Sequence, residues 1–136
     1  MITDNEINKV HRVNEDEATR VAEISRTAEY AKDLVNRKGV IYSGNIFLRH
    51  MRPGSVLELG PAEGIMTDIL YPHFEDDYTV VDGADFFVED LVKRYPKIKG
   101  YTALFEEFKP GRKYDNIVLG HVLEHVADPV EILSLA

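Results

Sequence analysis

No cysteine occurs among the 136 residues, so disulfides, thiolate catalysis and cysteine-ligated zinc are excluded. Long apolar runs are missing as well: none approaches the roughly 20 residues that a membrane-spanning helix needs. The opening stretch, Met1 to Glu6, lacks the basic and then apolar pattern of a secretory signal. Together these absences predict a cytoplasmic protein. Basic charge is scarce beside acidic charge. Sixteen Lys and Arg face 24 Asp and Glu, for a net charge of −8, which repels phosphate polyanions and anionic lipid. The expected partners therefore exclude nucleic acid and membranes. Internal repeats and low-complexity segments are also absent. What remains is an ordinary globular balance, 44% hydrophobic and 29% charged, in a chain of one-domain size. That size suffices for a core but is small for a complete doubly wound enzyme domain.

The organising stretch is Ser55 to Gly64. Val56, Leu57 and Leu59 read as a short buried strand with one carboxylate, Glu58, among them. A small-residue turn, Gly60 to Gly64, follows, and Ile65 to Leu70 then has helical spacing. Strand, glycine-rich turn and helix open a nucleotide-binding βαβ unit. Gly60 permits the sharp turn, and Ala62 and Gly64 leave the backbone open to a ligand. The first N–H groups of the helix favour an anionic group at that spot.

Before this stretch, residues 1–13 show no clear period. Asn14 and Glu17 form a capping box, and Ala18, Val21, Ala22, Ser25, Ala28, Ala31, Leu34 and Val35 recur at helical spacing. Gly39 is expected to stop that long amphipathic helix. It serves as a cover over the sheet or as a lid over a ligand. Ser43 to Met51 reads as a second short helix, and Arg52-Pro53-Gly54 as a turn. The division expected is a helical cover over 1–53 and a ligand-binding domain over 54–136.

Beyond Tyr71-Pro72, residues 77–82 read as strand two and Phe86 to Tyr95 as a helix. Residues 98–103 read as strand three, 104–113 as a loop, and Asn116 to Gly120 as strand four, apolar on both faces. Pro129 opens a final helix. Strands alternating with helices predict an α/β fold with a parallel, doubly wound sheet and right-handed crossovers.

In such a sheet the ligand crevice lies at the carboxyl ends of the strands, where their order reverses. Three loops meet there: Gly60 to Gly64, Asp82 to Ala84, and Gly120-His121. Asp82 follows Gly60 by 22 positions, the spacing of a carboxylate that accepts hydrogen bonds from ribose hydroxyls. Glu58 bears on the ligand class. A dinucleotide fingerprint wants Gly-x-Gly-x-x-Gly, whereas here Ile65 stands at the third glycine and a carboxylate precedes the turn. That carboxylate disfavours a diphosphate and favours a cation, unless backbone N–H groups simply satisfy it.

Glu58-Leu59-Gly60-Pro61-Ala62-Glu63-Gly64 resembles the first motif of the class I S-adenosylmethionine-dependent methyltransferases. Val80-Val81-Asp82 resembles their ribose-binding strand end, and residues 114–126, with Val122-Leu123-Glu124-His125-Val126, the fourth-strand motif of the small-molecule branch. The resemblance implies a Rossmann-like fold and S-adenosylmethionine as cofactor, with S-adenosylhomocysteine as product. It implies that Gly60, Ala62 and Gly64 line the methionine end and that Glu58 sits near the ammonium group. Asp82 would hold the ribose, Gly83, Leu104 and Phe105 would border the adenine, and Gly120 and His121 would flank the methionine and the reactive methyl. Gly83 replaces a larger apolar residue common in the family, and Ala103-Leu104 stands where an acidic residue often reads the adenine amino group. His121 is the general-base candidate for a proton leaving the acceptor, with a positioning role as its alternative. No metal site is expected, although His121, Glu124 and His125 lie close in sequence.

The family's fold continues beyond four strands, so a truncated chain is expected, or one completed at the strand-four edge by another copy or polypeptide. The expected activity is methyl transfer to oxygen or nitrogen of a small molecule. A non-catalytic S-adenosylmethionine-binding module and an NAD-dependent oxidoreductase are the competing readings.

Overall fold

The computed structural model describes residues 17–20 and 34–135. Most of the predicted long N-terminal helix, with its Asn14 cap, lies outside them, although residues 17–20 are helical. From residue 34 the order is α1 (Leu34–His50), β1 (Val56–Leu59), α2 (Ile65–Leu70), β2 (Tyr78–Asp82), α3 (Asp85–Arg94), β3 (Lys99–Thr102), β4 (Asn116–Val118) and α4 (Pro129–Leu135). Single 3-10 turns, Tyr71–His73 and Leu123–His125, follow α2 and β4.

All described strand pairs are parallel, in the order β3-β2-β1-β4. The chain leaves β1 toward one edge, through β2 and β3, and crosses back to the other side for β4. The order therefore reverses between β1 and β4, and the crevice beyond their carboxyl ends is the switch point of this sheet.

The predicted helix stop at Gly39 does not occur. Instead α1 runs unbroken through Gly39 and Gly44, and the piece over Ser43 to Met51 is its second half rather than a separate helix. Packing overrides the two glycines' weak helix preference. Gly44 is buried against α2, where a Cβ would lie 2.9 Å from Ile69 Cδ1 and 3.1 Å from Met66 Sδ. Absence of a side chain thus lets α1 approach α2 closely, and Phe47, Leu48 and Met51 join the core formed by Val56, Met66, Leu70, Tyr78 and Val80.

That core fills one face of the sheet. On the other face Leu57, Leu59 and Val81 pack with Ile132 of α4 and with Phe105, Phe108 and Tyr114 of the β3–β4 loop. β4 is shorter than predicted, ending at Val118, and the expectation that it is apolar and covered on both faces needs correction. Val118 is buried but Ile117 is 36% exposed, because β4 is the edge of the described sheet and only its inner neighbour, β1, pairs with it.

The lower end of the sheet is tied by polar contacts. Asp115 accepts from the Ser55 N–H at 2.8 Å and from its hydroxyl at 3.0 Å. Asn116 exchanges hydrogen bonds with the Arg52 backbone. These bonds set the β1–β4 register, so that Glu58 stands beside Val118 and both strands deliver their exit loops to one place.

Candidate cofactor site

Beyond the carboxyl ends of β1, β2 and β4 lies a cavity of about 840 Å³. Of the residues singled out in the sequence, Gly60, Ala62, Asp82, Gly83, Leu104, Phe105, Gly120 and His121 line it. Glu58 and Gly64 do not.

Strand alternation decides the case of Glu58. Its side chain leaves β1 on the face of Val56, beneath α2, rather than at the strand's end. There it is 2% exposed, and one carboxyl oxygen accepts from the Thr67 hydroxyl at 2.7 Å and the Tyr78 hydroxyl at 2.6 Å. Its donors are side-chain hydroxyls rather than the backbone N–H groups that the sequence offered as the alternative. Burial pushes the carboxyl up to about 7, against the pull of the two hydroxyls. Glu58 braces α2 and β2 against β1 from below the turn.

Gly64 also serves packing. Its φ is +87°, and a Cβ there would stand 2.5 Å from both Leu91 Cδ2 and Arg94 Nη2 of α3. Arg94 clamps this turn from outside, donating to the Glu63 carbonyl, to Asp68 at 2.8 Å and to Asp90 at 3.0 Å. The glycine thus permits α3 to close on the turn, and the turn residues that line the cavity are Gly60 to Glu63.

At Gly60, φ is +69° and a Cβ would come within 2.8 Å of Val122 Cγ2 and 3.2 Å of Phe105 Cζ. Two non-glycine residues beside the cavity share the left-handed conformation, Ala62 at φ 49° and His121 at φ 56°. Such conformations persist where surrounding contacts over-determine them, and they concentrate at binding sites. For Ala62 one determinant is visible: its N–H donates to Asp82 Oδ2 at 3.1 Å.

Asp82 ends β2 and is 6% exposed. Its other oxygen accepts from the Ala84 N–H at 2.9 Å. Burial pushes its pKa up, while the N–H groups of Ala84, Ala62 and Gly83 draw it back. One carboxylate therefore couples the first turn to the β2–α3 turn, with lone pairs left over for donors from the cavity.

Leu104 and Phe105 enter through the turn after β3, where the Ala103 N–H bonds the Asp82 carbonyl at 3.0 Å. At Gly120 a Cβ would meet Met66 Cε, the flexible end of that side chain, at 2.9 Å. His121 places Nε2 3.2 Å from Ser43 Oγ of α1 and Nδ1 3.8 Å from Glu124 Oε1. The same Glu124 oxygen lies 4.0 Å from His125 Nε2. Among the described residues no three His, Asp or Glu side chains are gathered as metal ligands.

Sequence reasoning offered the N-terminal helix as a lid over a ligand but named as site residues neither Val35, Asn36, Gly39 and Val40 of α1, which face the cavity, nor Glu17 and Arg20 before it. Glu17 and Arg20 pair with each other at 2.5 Å. The spacing of the α1 positions, one helical turn apart, was the available signal. Val122 was likewise missed as a wall residue. No helix of the described residues is long and apolar enough to cross a membrane.

A search of the curated proteins finds no match to the chain. Solved structures do match. The N-methyltransferase NodS from Bradyrhizobium japonicum WM9, crystallised with S-adenosylhomocysteine, aligns at 21% identity with a TM-score of 0.65, covering 86% of this chain and 61% of NodS. A DhpI complex with SAM aligns at 21% identity and a TM-score of 0.64, covering 89% of this chain and 56% of DhpI. The sugar N-methyltransferase KedS8 from Streptoalloteichus sp. aligns at 22% and 0.55, covering 69% and 38%. The chain thus spans less than two thirds of the length of each of these proteins, and the likeness is one of fold. Residues 24–136 match the family described as a methyltransferase domain, which is most of the chain. With the reversal of strand order, the glycine turn and the carboxylate at the end of β2 in place, the chain belongs to the methyltransferase-domain family.

Proposed function

We propose that this chain forms the cofactor-binding part of an S-adenosylmethionine-dependent methyltransferase that moves a methyl group to oxygen or nitrogen of a small-molecule acceptor. The observation that carries this reading is the cavity at the strand switch point, walled by the Gly60–Ala62 turn and bordered by the buried carboxylate of Asp82. The wall fits an adenosyl amino acid. Gly60 leaves bare backbone in the cavity wall and lets Val122 and Phe105 close beside it, Asp82 offers lone pairs to sugar hydroxyls, and Leu104 and Phe105 offer apolar surface to a planar base. NodS binds S-adenosylhomocysteine in a similarly built fold.

The cofactor supplies an electrophilic methyl group on a charged sulfur. For their part, Gly60, Ala62 and Gly120 bring backbone against the amino-acid end, and Asp82 orients the sugar. Gly83, Leu104 and Phe105 border the base, while α1 narrows access of water from above. His121 faces the cavity and takes the proton from the acceptor's O–H or N–H. Alignment and water exclusion are the chain's main contributions, since in-line displacement demands geometry more than acid–base strength. Glu58 holds the turn from below.

Calorimetric titration with S-adenosylhomocysteine and, in parallel, with NAD tests the reading. Binding of the first with little affinity for the second is expected. Preference for NAD, or failure to bind S-adenosylhomocysteine, overturns it. The alternative is a binding module without activity. It is distinguished by tight cofactor binding without S-adenosylhomocysteine formation from any oxygen or nitrogen acceptor. A second copy or another polypeptide along the β4 edge would be read by gel filtration.

A further inference from the structure

We infer that Gly39 of α1 is a specificity-determining residue: its missing side chain leaves open the part of the cavity that the acceptor enters. The acceptor's carbon skeleton then lies against the α1 backbone, with its O–H or N–H toward His121. The inference rests on the proposed function for the identity of both ligands. Glycine inside a helix is less stable than alanine, because it gives up more chain freedom on folding and leaves its backbone bare. That cost is offset where packing or a ligand needs the space. At Gly44 packing needs it, since a Cβ there would press on Ile69 and Met66. At Gly39 a Cβ would meet nothing within 4 Å among the described residues, and the helix runs through without a break.

Gly39 nevertheless lines the cavity, and its place on the helix says which part. Residues four apart share one helix face, with Cβ positions about 5–6 Å from each other. Ser43, one turn on from Gly39, stands 3.2 Å from the His121 ring. The opening at Gly39 is therefore beside His121, where the chain leaves β4. Asp82, Leu104 and Phe105, which border the sugar and the base in the proposed function, belong to the ends of β2 and β3 on the other side of β1. Within a helix the backbone polar groups bond one another, so the bare stretch between Val35 and Val40 presents carbon atoms rather than donors to the cavity. That surface suits the carbon skeleton of a small acceptor.

The test is calorimetric titration with two analogues of S-adenosylhomocysteine in which nitrogen replaces the sulfur and carries a methyl group in one and an n-butyl group in the other. In-line displacement aims that substituent at the acceptor, so the butyl chain enters the acceptor's space and the methyl group barely does. The wild type is expected to bind both. Gly39→Leu is expected to lose about tenfold or more in affinity for the butyl analogue, while the methyl analogue stays within about twofold. An equal loss on both places the new side chain against the cofactor itself, and no loss on either leaves the opening without a ligand. Each of these results overturns the inference, as does a wild type that binds only the methyl analogue. Melting of the unliganded chain reads packing separately: Gly39→Ala is expected to raise Tm by about 2–4 °C. A lowered Tm shows a packed position and overturns the inference too. A wild type that binds neither analogue overturns the functional reading, and the inference with it.

Discussion

Replacing Glu58 with glutamine offers a quantitative test of how this sheet is braced. The carboxyl is 2% exposed and ionises at about 7 in the folded chain, against an ordinary value of 4.5. Below pH of about 4.5 it is neutral in both states, and the folded state bears no cost for a buried charge. As pH rises through the window from 4.5 to about 7, the unfolded chain gives up its proton before the folded chain does, so stability falls. Above about 7 the loss is complete. A difference of about 2.5 pKa units corresponds to about 3 kcal/mol. Glutamine has nearly the same shape, and its carbonyl oxygen accepts from the same two hydroxyls of Thr67 and Tyr78, but it does not titrate. Asp82 is also shifted upward by burial and contributes a fall of the same sign, but it remains in both proteins and cancels in their difference. Urea unfolding of both proteins from pH 4.5 to 8 measures that difference. The wild type is expected to lose about 3 kcal/mol relative to Glu58→Gln across the range, seen in melting curves as roughly 10 °C. Parallel curves, or a wild type that gains on the variant as pH rises, would refute the assignment of Glu58 as a buried and mainly neutral brace.

The two turn glycines should fail differently. Gly60→Ala places a Cβ 2.8 Å from Val122 at a left-handed φ and in the cavity wall. It is expected to cost about 1–2 kcal/mol of stability and more than tenfold in S-adenosylhomocysteine affinity by calorimetry; unchanged affinity would sink the role of the turn. Gly64→Ala drives a Cβ into Leu91 and Arg94 outside the cavity. About 2–3 kcal/mol of stability is expected to be lost, with affinity nearly intact for the fraction that remains folded. Asp82→Asn removes the charge proposed to face the sugar and weakens the clasp on the Ala62 and Ala84 N–H groups. Affinity for S-adenosylhomocysteine should fall at least tenfold, about 1.4 kcal/mol or more, and a titration matching the wild type would remove Asp82 from the site.

Much of the site was legible before any coordinates. Gly60, Ala62 and Asp82 could be placed because a turn after a buried strand and a carboxylate at the next strand's end are local patterns with one physical purpose each. Elements were recognisable for the same reason: alternation and helical spacing are short-range, and β1, β2, α3 and β3 lie within a residue of where the pattern puts them. Gly39 was misleading, since a glycine reads as a stop only if nothing else holds the helix. Its successor Gly44 sits against Ile69 and Met66, and that packing carries α1 through both.

By itself, then, the order of residues determined the parallel α/β architecture, the crevice at the strand ends and the residues whose backbone or carboxylate forms its floor, because all of these follow from periodicity and from side chains that are too small or too polar for anything else. Tertiary structure alone decided which way Glu58 points, that Gly64 faces α3, and that Ser43 reaches His121 across 78 positions. Those outcomes depend on which faces of α1, α2 and α3 are pressed together, and a face is a property of packing between distant segments that no local pattern contains.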